Sequence, residues 1–392
     1  MHNAILHILF ALSFFALLLS YAIYPSLALL IQMLMKKSKN EDTNLPYVSV
    51  VCAAFNEESI IKEKLDSLVR SNYPKDKIEI LIGSDGSTDN TNIFINQFSQ
   101  LFKQIKLIEF EGRNGKPKII ESLIKQSKGD IIISTDANIL FAKNTIRQLV
   151  SHFKDPAVGL VDSVICHSNI KKDGIAIQEK SYLNIEAKIK HFEGRVFGTM
   201  MGPFGACFAM RKNLYKPLPK NFLVDDFHIC MNVIQQGYKA INDLEAVVYE
   251  DVSNQMQEEI RRKTRIAAGN FQNLFFFKSL WINPFNKAFI PFICHKVIRW
   301  IGPFLLITLL LSNFLLLMQN TSQLEYKFVF IGQLTLYIGA LFDIILKKIG
   351  IHTVFLRYMS HFLGMNLALL LGFIQFINGV KTNVWEPTKR NQ

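Results

Sequence analysis

The chain is 392 residues long, 49% hydrophobic yet 19% charged, with a formal net charge of +12 and a mean hydropathy of +0.19. That length exceeds one comfortable core and implies two structural units, while the hydropathy is out of place in a soluble enzyme of this charge content. The five cysteines (Cys52, Cys166, Cys207, Cys230, Cys294) show no paired metal spacing. No aromatic–basic ribbon or recognition motif accompanies the basic balance, so nucleic acid is set aside as a partner.

Residues 1–35 contain no Asp, Glu, Lys or Arg and exceed the roughly 20 residues that cross a bilayer core. They carry neither a basic leader nor an obvious small-residue cleavage site, and read as an uncleaved anchor. Lys36, Lys37 and Lys39 follow directly and mark the cytoplasmic side. From 46 to about 249, strand-type and helix-type patterns alternate. Strands are expected at 48–53, 78–83, 105–110, 131–135, 158–162 and 203–210, and helices at 60–71, 119–127, 144–153 and 227–236. This alternation predicts an α/β domain with a mainly parallel sheet and right-handed crossovers.

A charged helix at 258–268 is expected to end near Gly269, followed by an aromatic segment at 271–281. Large apolar groups beside bases suit the membrane interface; a core helix on the sheet fits the same pattern. Residues 301–324 and 362–380 carry no charge and 328–346 only Asp343, so further spans are expected there. Basic clusters at Lys278, Lys287, Lys296 and Arg299, and at Lys347 and Lys348, place the head on the cytoplasmic side. They assign most of the net charge to bases meeting anionic membrane lipids.

Three acidic signatures carry the chemistry: Ser84-Asp85-Gly86-Ser87-Thr88-Asp89, Thr135-Asp136-Ala137-Asn138 and Val224-Asp225-Asp226-Phe227. The first two end apolar strand-type runs, and in an open α/β sheet that edge binds ligands. Asn56 and Glu57 follow the first strand, where an acid suits either a base or sugar contact or a helix start. Asp136 and Asn138, two apart, share one face in extended geometry and could reach one hard cation, Mg2+ or Mn2+; Asn138 is equally a turn residue. Of Asp225 and Asp226, one can cap the helix and the other remove a proton from an acceptor hydroxyl. Arg262 and Arg265 share a helix face and could clamp a diphosphate, or meet lipid headgroups.

Taken in order, these pieces resemble the membrane-integrated family 2 glycosyltransferases, a group that includes hyaluronan and poly-N-acetylglucosamine synthases and ceramide glucosyltransferase. The resemblance runs through Phe55-Asn56-Glu57-Glu58, the Asp85 and Asp136 motifs, Gly115-Lys116, Gly205-Ala206, Asp225-Asp226 and Arg262-Lys263-Thr264-Arg265, to a tail Trp385-Glu386-Pro387-Thr388-Lys389-Arg390. It implies a GT-A (Rossmann-like) fold and an inverting transfer from a nucleotide-diphosphate sugar, usually UDP-linked. Asn56, Glu57, Asp85, Lys116, Asp136, Arg262, Arg265 and Trp385 would serve the donor. Gly205, Ala206 and Asp225 would meet the acceptor, Asp226 would be the base, and Asp136 with Asn138 would hold Mg2+ or Mn2+. Asn138 stands where the family has Asp, and Ile266 where polymerising members have Trp.

The expected layout is an anchor (1–35), a GT-A domain (46–270), interfacial helices (271–300), transmembrane or re-entrant helices (301–380) and a cytosolic tail (381–392). For that tail to reach the site, 358–380 is expected to be interfacial or re-entrant. One protomer offers too few spans for a glycan channel, so either several chains assemble into a homo-oligomer or the acceptor is a lipid. Two rival readings remain. A membrane nucleotidyl- or phosphotransferase would want two metal carboxylates, and a transporter or scaffold with a degenerate head would want polar residues inside its spans.

Overall fold

The computed structural model describes residues 2–35, 45–168, 175–251, 256–319 and 323–383. Eight strands form one sheet: β1 (Val48–Ala54), β2 (Ile78–Asp85), β3 (Ile105–Phe110), β4 (Ile131–Asp136), β5 (Leu140–Phe141), β6 (Val158–Ser168), β7 (Cys207–Arg211) and β8 (Lys239–Asp251). Their order is β3-β2-β1-β4-β7-β6-β8-β5. β1 pairs in parallel with both β2 and β4, so the chain reverses its winding direction between β1 and β4. A crevice opens at such a switch point, and Asn56, Asp85 and Asp136 all lie at its rim. β1 and β2 are buried along their whole length, which is why they read as mainly apolar runs, broken only at Ser49 and Glu79 before the strand ends.

The mainly parallel sheet holds for β1–β4 and for β6 with β8. β7 departs from it, entering antiparallel between β4 and β6, as does β5 on the edge. The strand expected at 203–210 begins only at Cys207, because Gly202 and Gly205 take φ of +78° and +81° and turn the chain into a loop. Helices Ile61–Val69, Thr91–Leu101 and Thr145–Ser151 cover one face through Ile61, Leu65, Leu68, Ile95, Ile146 and Leu149. Helices Lys116–Gln126 and Asp225–Gln235 cover the other, and that core runs on into Phe271, Leu274, Phe277, Phe292 and Trp300. The second face is thus shared with segments leading to the apolar helices.

The charged helix runs on into the first part of the aromatic segment as one helix, Met256–Phe276, and Lys278–Ile282 forms a separate short helix. Gly269 does not stop it; a Cβ there would lie 2.5 Å from Val224 Cγ2, so the glycine permits close packing. Within the aromatic stretch Phe271, Leu274 and Phe277 are core while Phe275 and Phe276 are exposed. By length and composition, Asn3–Leu34, Leu324–Lys348 and Val354–Ile377 could each cross a membrane, as could Phe289–Trp300 with Gly302–Met318, a pair bent by 66°. The bend falls ahead of Gly302-Pro303, not in 358–380, where the helix is unbroken. That last helix lies against Met256–Phe276: Phe271 meets Phe373 and Phe376, and a Cβ on Gly372 would stand 2.4 Å from Ala267 Cβ.

Helix Ala176–Val196 joins the apolar segments to the domain. Glu186 accepts from His295 Nε2 at 2.8 Å, Lys296 at 2.6 Å and Arg299 at 3.0 Å. Burial works against its charge, but these three bases hold the Glu186 carboxyl well below the usual range. Glu193 receives His295 Nδ1 at 2.7 Å and Tyr24 Oη at 2.9 Å. Lys296 and Arg299, expected at the lipid surface, are therefore committed inward; Lys278, Lys287, Lys347 and Lys348 are exposed. Asp343 is met by Ser360 Oγ at 2.5 Å and Arg357 at 3.9 Å, so this carboxylate serves helix–helix packing.

Replacing Gly372 by Val should overpack this crossing, at about 1–3 kcal/mol, and lower the thermal midpoint in detergent. Gly332→Val, where a Cβ meets nothing within 4 Å, should leave the midpoint unchanged. Equal midpoints for the two variants would contradict the close crossing.

Candidate active site

The loops after β1 and β2 are locked together. Asn56, at φ +51°, accepts from Thr88 N at 2.9 Å, and Glu57 N donates to Thr91 Oγ1 at 2.8 Å. Glu58 accepts from Asn90 N at 3.0 Å and its own N–H donates to Asp89 at 3.1 Å. Asn56 and Asp89 therefore brace the rim. Asp85 is fully buried, accepting from Asn114 N at 2.6 Å, Gly115 N at 3.0 Å and Arg113 Nε at 3.4 Å. Expected as a ligand contact, it is here an organiser of the 111–115 loop. Arg113, which the sequence reading passed over, also lies 3.3 Å from the centroid of Phe55; its only sequence signal was a base in a glycine-flanked loop.

That loop delivers Lys116, whose Nζ lies 2.7 Å from Asp136 and 3.6 Å from Asp225. Burial opposes the charge, yet the two carboxylates hold Lys116 above the usual lysine range. Asp226 sits beside this group. Partial burial and then the Asp225 charge push its carboxyl up to about 7, against the pull of Lys116. Gly205 closes over it: an added Cβ would fall 2.2 Å from Asp226 Oδ2, so only glycine fits, and at φ +81° only glycine is unstrained. Ala206 O binds Asp136 N at 3.1 Å, splicing this loop to β4.

Asp136, Asp225, Asp226, Lys116, Gly205 and Ala206 thus meet in one cleft. The two arginines divide. Arg265 donates to Leu223 O at 3.3 Å; burial lowers its pKa, opposed by the charges of Asp225 and Asp226. Arg262 instead forks onto Glu259 at 2.8 and 3.1 Å, so the two arginines do not act as a pair here. His228, two residues past Asp226, is buried and bonded to Asn273 at 3.1 Å, and burial lowers it to about 4. Trp385 lies outside the described residues.

A hard cation fits the donors present. Asp136 stands at the strand tip, and the Asn138 amide N–H donates to Glu250 at 3.2 Å, which leaves the amide oxygen as its acceptor. Among the described residues no cluster of three His, Cys, Asp or Glu could cage a metal. The protein would therefore supply a minority of ligands and substrate phosphates the rest, the usual habit of Mg2+.

Residues 49–218 match the family described as Glycosyl transferase family 2. This segment is similar to a family 2 glycosyltransferase domain. Its fold is the GT-A arrangement. A mannosyltransferase from Pyrobaculum calidifontis, solved in complex with GDP-Man and Mn2+, is similar over 96% of this chain and 99% of its own, with a TM-score of 0.66 at 20% identity. The probable glycosyltransferase YdaM of Bacillus subtilis is 28% identical over 58% of this chain and 56% of its own length. For the N-acetylglucosaminyltransferase of Rhizobium meliloti the values are 24%, 60% and 58%. The β-monoglucosyldiacylglycerol synthase of Synechocystis is 32% identical over 29% of this chain and 24% of its own. The chain therefore spans little more than half the length of the longer-matching relatives.

Removing the Asp225 charge should let Asp226 ionise more easily. In Asp225→Asn, infrared difference titration against an Asp226→Asn reference should show the Asp226 carboxyl ionising at lower pH than in the wild type. An unchanged midpoint would mean the two carboxylates do not interact.

Proposed function

We propose that the chain is an inverting glycosyltransferase that moves a sugar from a nucleotide-diphosphate donor, UDP-linked, to a lipid or growing polysaccharide at the membrane. The observation that carries this reading is the Asp226 carboxyl, raised toward neutrality and lodged under Gly205, directly beside the Lys116–Asp136 pair. An inverting displacement needs one base for the incoming hydroxyl and positive charge for the departing diphosphate. Asp226 is placed for the first, and Lys116 and Arg265 for the second. Asp136, with the Asn138 amide oxygen, would hold Mg2+ or Mn2+, which when bound stabilises charge on the leaving diphosphate. Asp85 acts through the loop that presents Lys116, and Glu57 borders the nucleoside end.

The lipid acceptor is favoured by where the base sits. Phe227, next to Asp226, packs on Phe292 and Trp300 of the bent apolar pair, so the helix that carries the base is built onto the apolar segments. The name of the Synechocystis relative, a diacylglycerol-glycoside synthase, points the same way. Residue 380 stays on the domain, since Val380 O accepts from Asn221 at 3.2 Å. We assign 46–270 to catalysis on the cytoplasmic side, 1–35 to the anchor, 271–300 to the interface and 301–380 to the membrane.

The direct test is a panel of UDP- and GDP-sugars offered to purified protein with membrane lipids, reading released nucleotide and product mass. Asp226→Asn should lower turnover by about 10²–10⁴ while leaving nucleotide affinity unchanged by calorimetry; retained turnover would remove Asp226 as base. Because the ionised form is the base, kcat/KM should rise with pH through about 7 and then level, a limb belonging to the Asp225–Asp226 pair. A profile flat from pH 5 to 9 would contradict it. Chelation should abolish transfer, with Mn2+ or Mg2+ restoring it.

A further inference from the structure

Lys64 lies wholly buried on the helix Ile61–Val69 and has no part in the roles given above. Its Nζ donates to Thr135 Oγ1 at 2.9 Å and to Ile139 O at 2.6 Å, and stands 4.4 Å from the Phe141 ring centroid. Thr135 and Ile139 are the two ends of the turn that contains Asp136 and Asn138. One turn further along the same helix, Ser67 Oγ accepts from Phe141 N at 3.2 Å and donates to Lys64 O at 2.7 Å. The helix therefore grips the turn at three points.

Among the described residues no carboxylate comes within ion-pair distance of Lys64. The groups facing it are Cys52 of β1, Cys207 of β7 and Asp136; burial pushes both thiols up to about 12, so they stay neutral. An apolar side chain of similar length would fill the space without desolvating a charge. What lysine adds is two directed hydrogen bonds across the turn and a positive charge beneath it.

We propose that Lys64 is a positioning residue for the cation-bound diphosphate, clamping both ends of the 135–139 turn so that Asp136 and Asn138 present their oxygens together. The inference rests on the reading of Asp136 as the metal contact. Partners behind a metal ligand fix its orientation, and their loss typically weakens metal affinity 10–100-fold.

The test is calorimetry on the full-length protein in detergent, titrating UDP and GDP with and without Mn2+, and uridine and guanosine alone. Lys64→Met should lose roughly tenfold of the Mn2+-dependent gain in nucleotide affinity while nucleoside affinity stays at the wild-type value. Ser67→Ala, which removes the Phe141 contact and the bond to Lys64 O but keeps the lysine's own contacts, should show a smaller loss of the same kind and serves if Lys64→Met does not fold. A wild-type Mn2+ gain in the variants, or an equal loss of nucleoside affinity, would overturn the role of Lys64. Absence of any Mn2+ gain in the wild type would instead sink the metal assignment of Asp136.

Discussion

The Lys116 ammonium, set between Asp136 and Asp225, is what allows three carboxylates to share one cleft. Without it, Asp136, Asp225 and Asp226 would repel one another at close range. One lysine does not neutralise three acids, and burial, followed by the Asp225 charge, pushes the Asp226 carboxyl up. A nucleotide diphosphate brings further negative charge into the same space. A divalent cation held by Asp136 would supply charge of the opposite sign there, so the proposed cation dependence accords with the electrostatics of these acids even though Asn138 contributes no charge.

The site and the apolar helices are joined through helix Ala176–Val196. Glu179, Glu186, Lys190 and Glu193 are all buried, and their spacing of seven, four and three places them along one stripe. Each meets a different element. Glu179 meets His361 of Val354–Ile377 at 3.1 Å, and Glu186 the bent pair. Glu193 bonds Tyr24 near the end of the first apolar helix and also Met201 N at 3.0 Å. Lys190 lies 3.6 Å from Asp162, which receives Phe204 N at 3.3 Å. Met201 and Phe204 flank the loop carrying Gly205, so the segments nearest the membrane fix the backbone that confines Asp226.

The central strands and the order of the acidic motifs were readable because they obey simple periodicities. β1, β2 and β4 are mainly apolar runs, and Asp136 and Asp226 stand at the element ends where sequence places them. Helix Ala176–Val196 was invisible for the opposite reason: its buried stripe is charged, so no apolar periodicity marks it. β8 was missed because Asn242-Asp243-Leu244-Glu245 interrupts its alternation at an irregularity in the pairing with β6. The sequence placed Asp85 and Arg262 in a ligand site by motif, but whether such a side chain points outward depends on partners far along the chain. Asn114 N–H and Gly115 N–H claim Asp85, and a glutamate one turn earlier claims Arg262. Lys64 shows the same limit from the other side, since nothing local distinguishes it from a surface lysine on an amphipathic helix.

The direction from which an acceptor arrives follows from the packing of Asp226. One side of its carboxylate is closed by Gly205, whose missing Cβ leaves no room for a ligand between them. Another side is occupied by the Lys116–Asp225 contact and the donor cleft beyond it. Phe227 anchors the start of the same helix to the buried Phe292 and Trp300, while Phe275, Phe276 and Phe285 are exposed. On the proposed reading of a lipid acceptor, a bilayer would remove the cost of keeping these exposed phenylalanines in water.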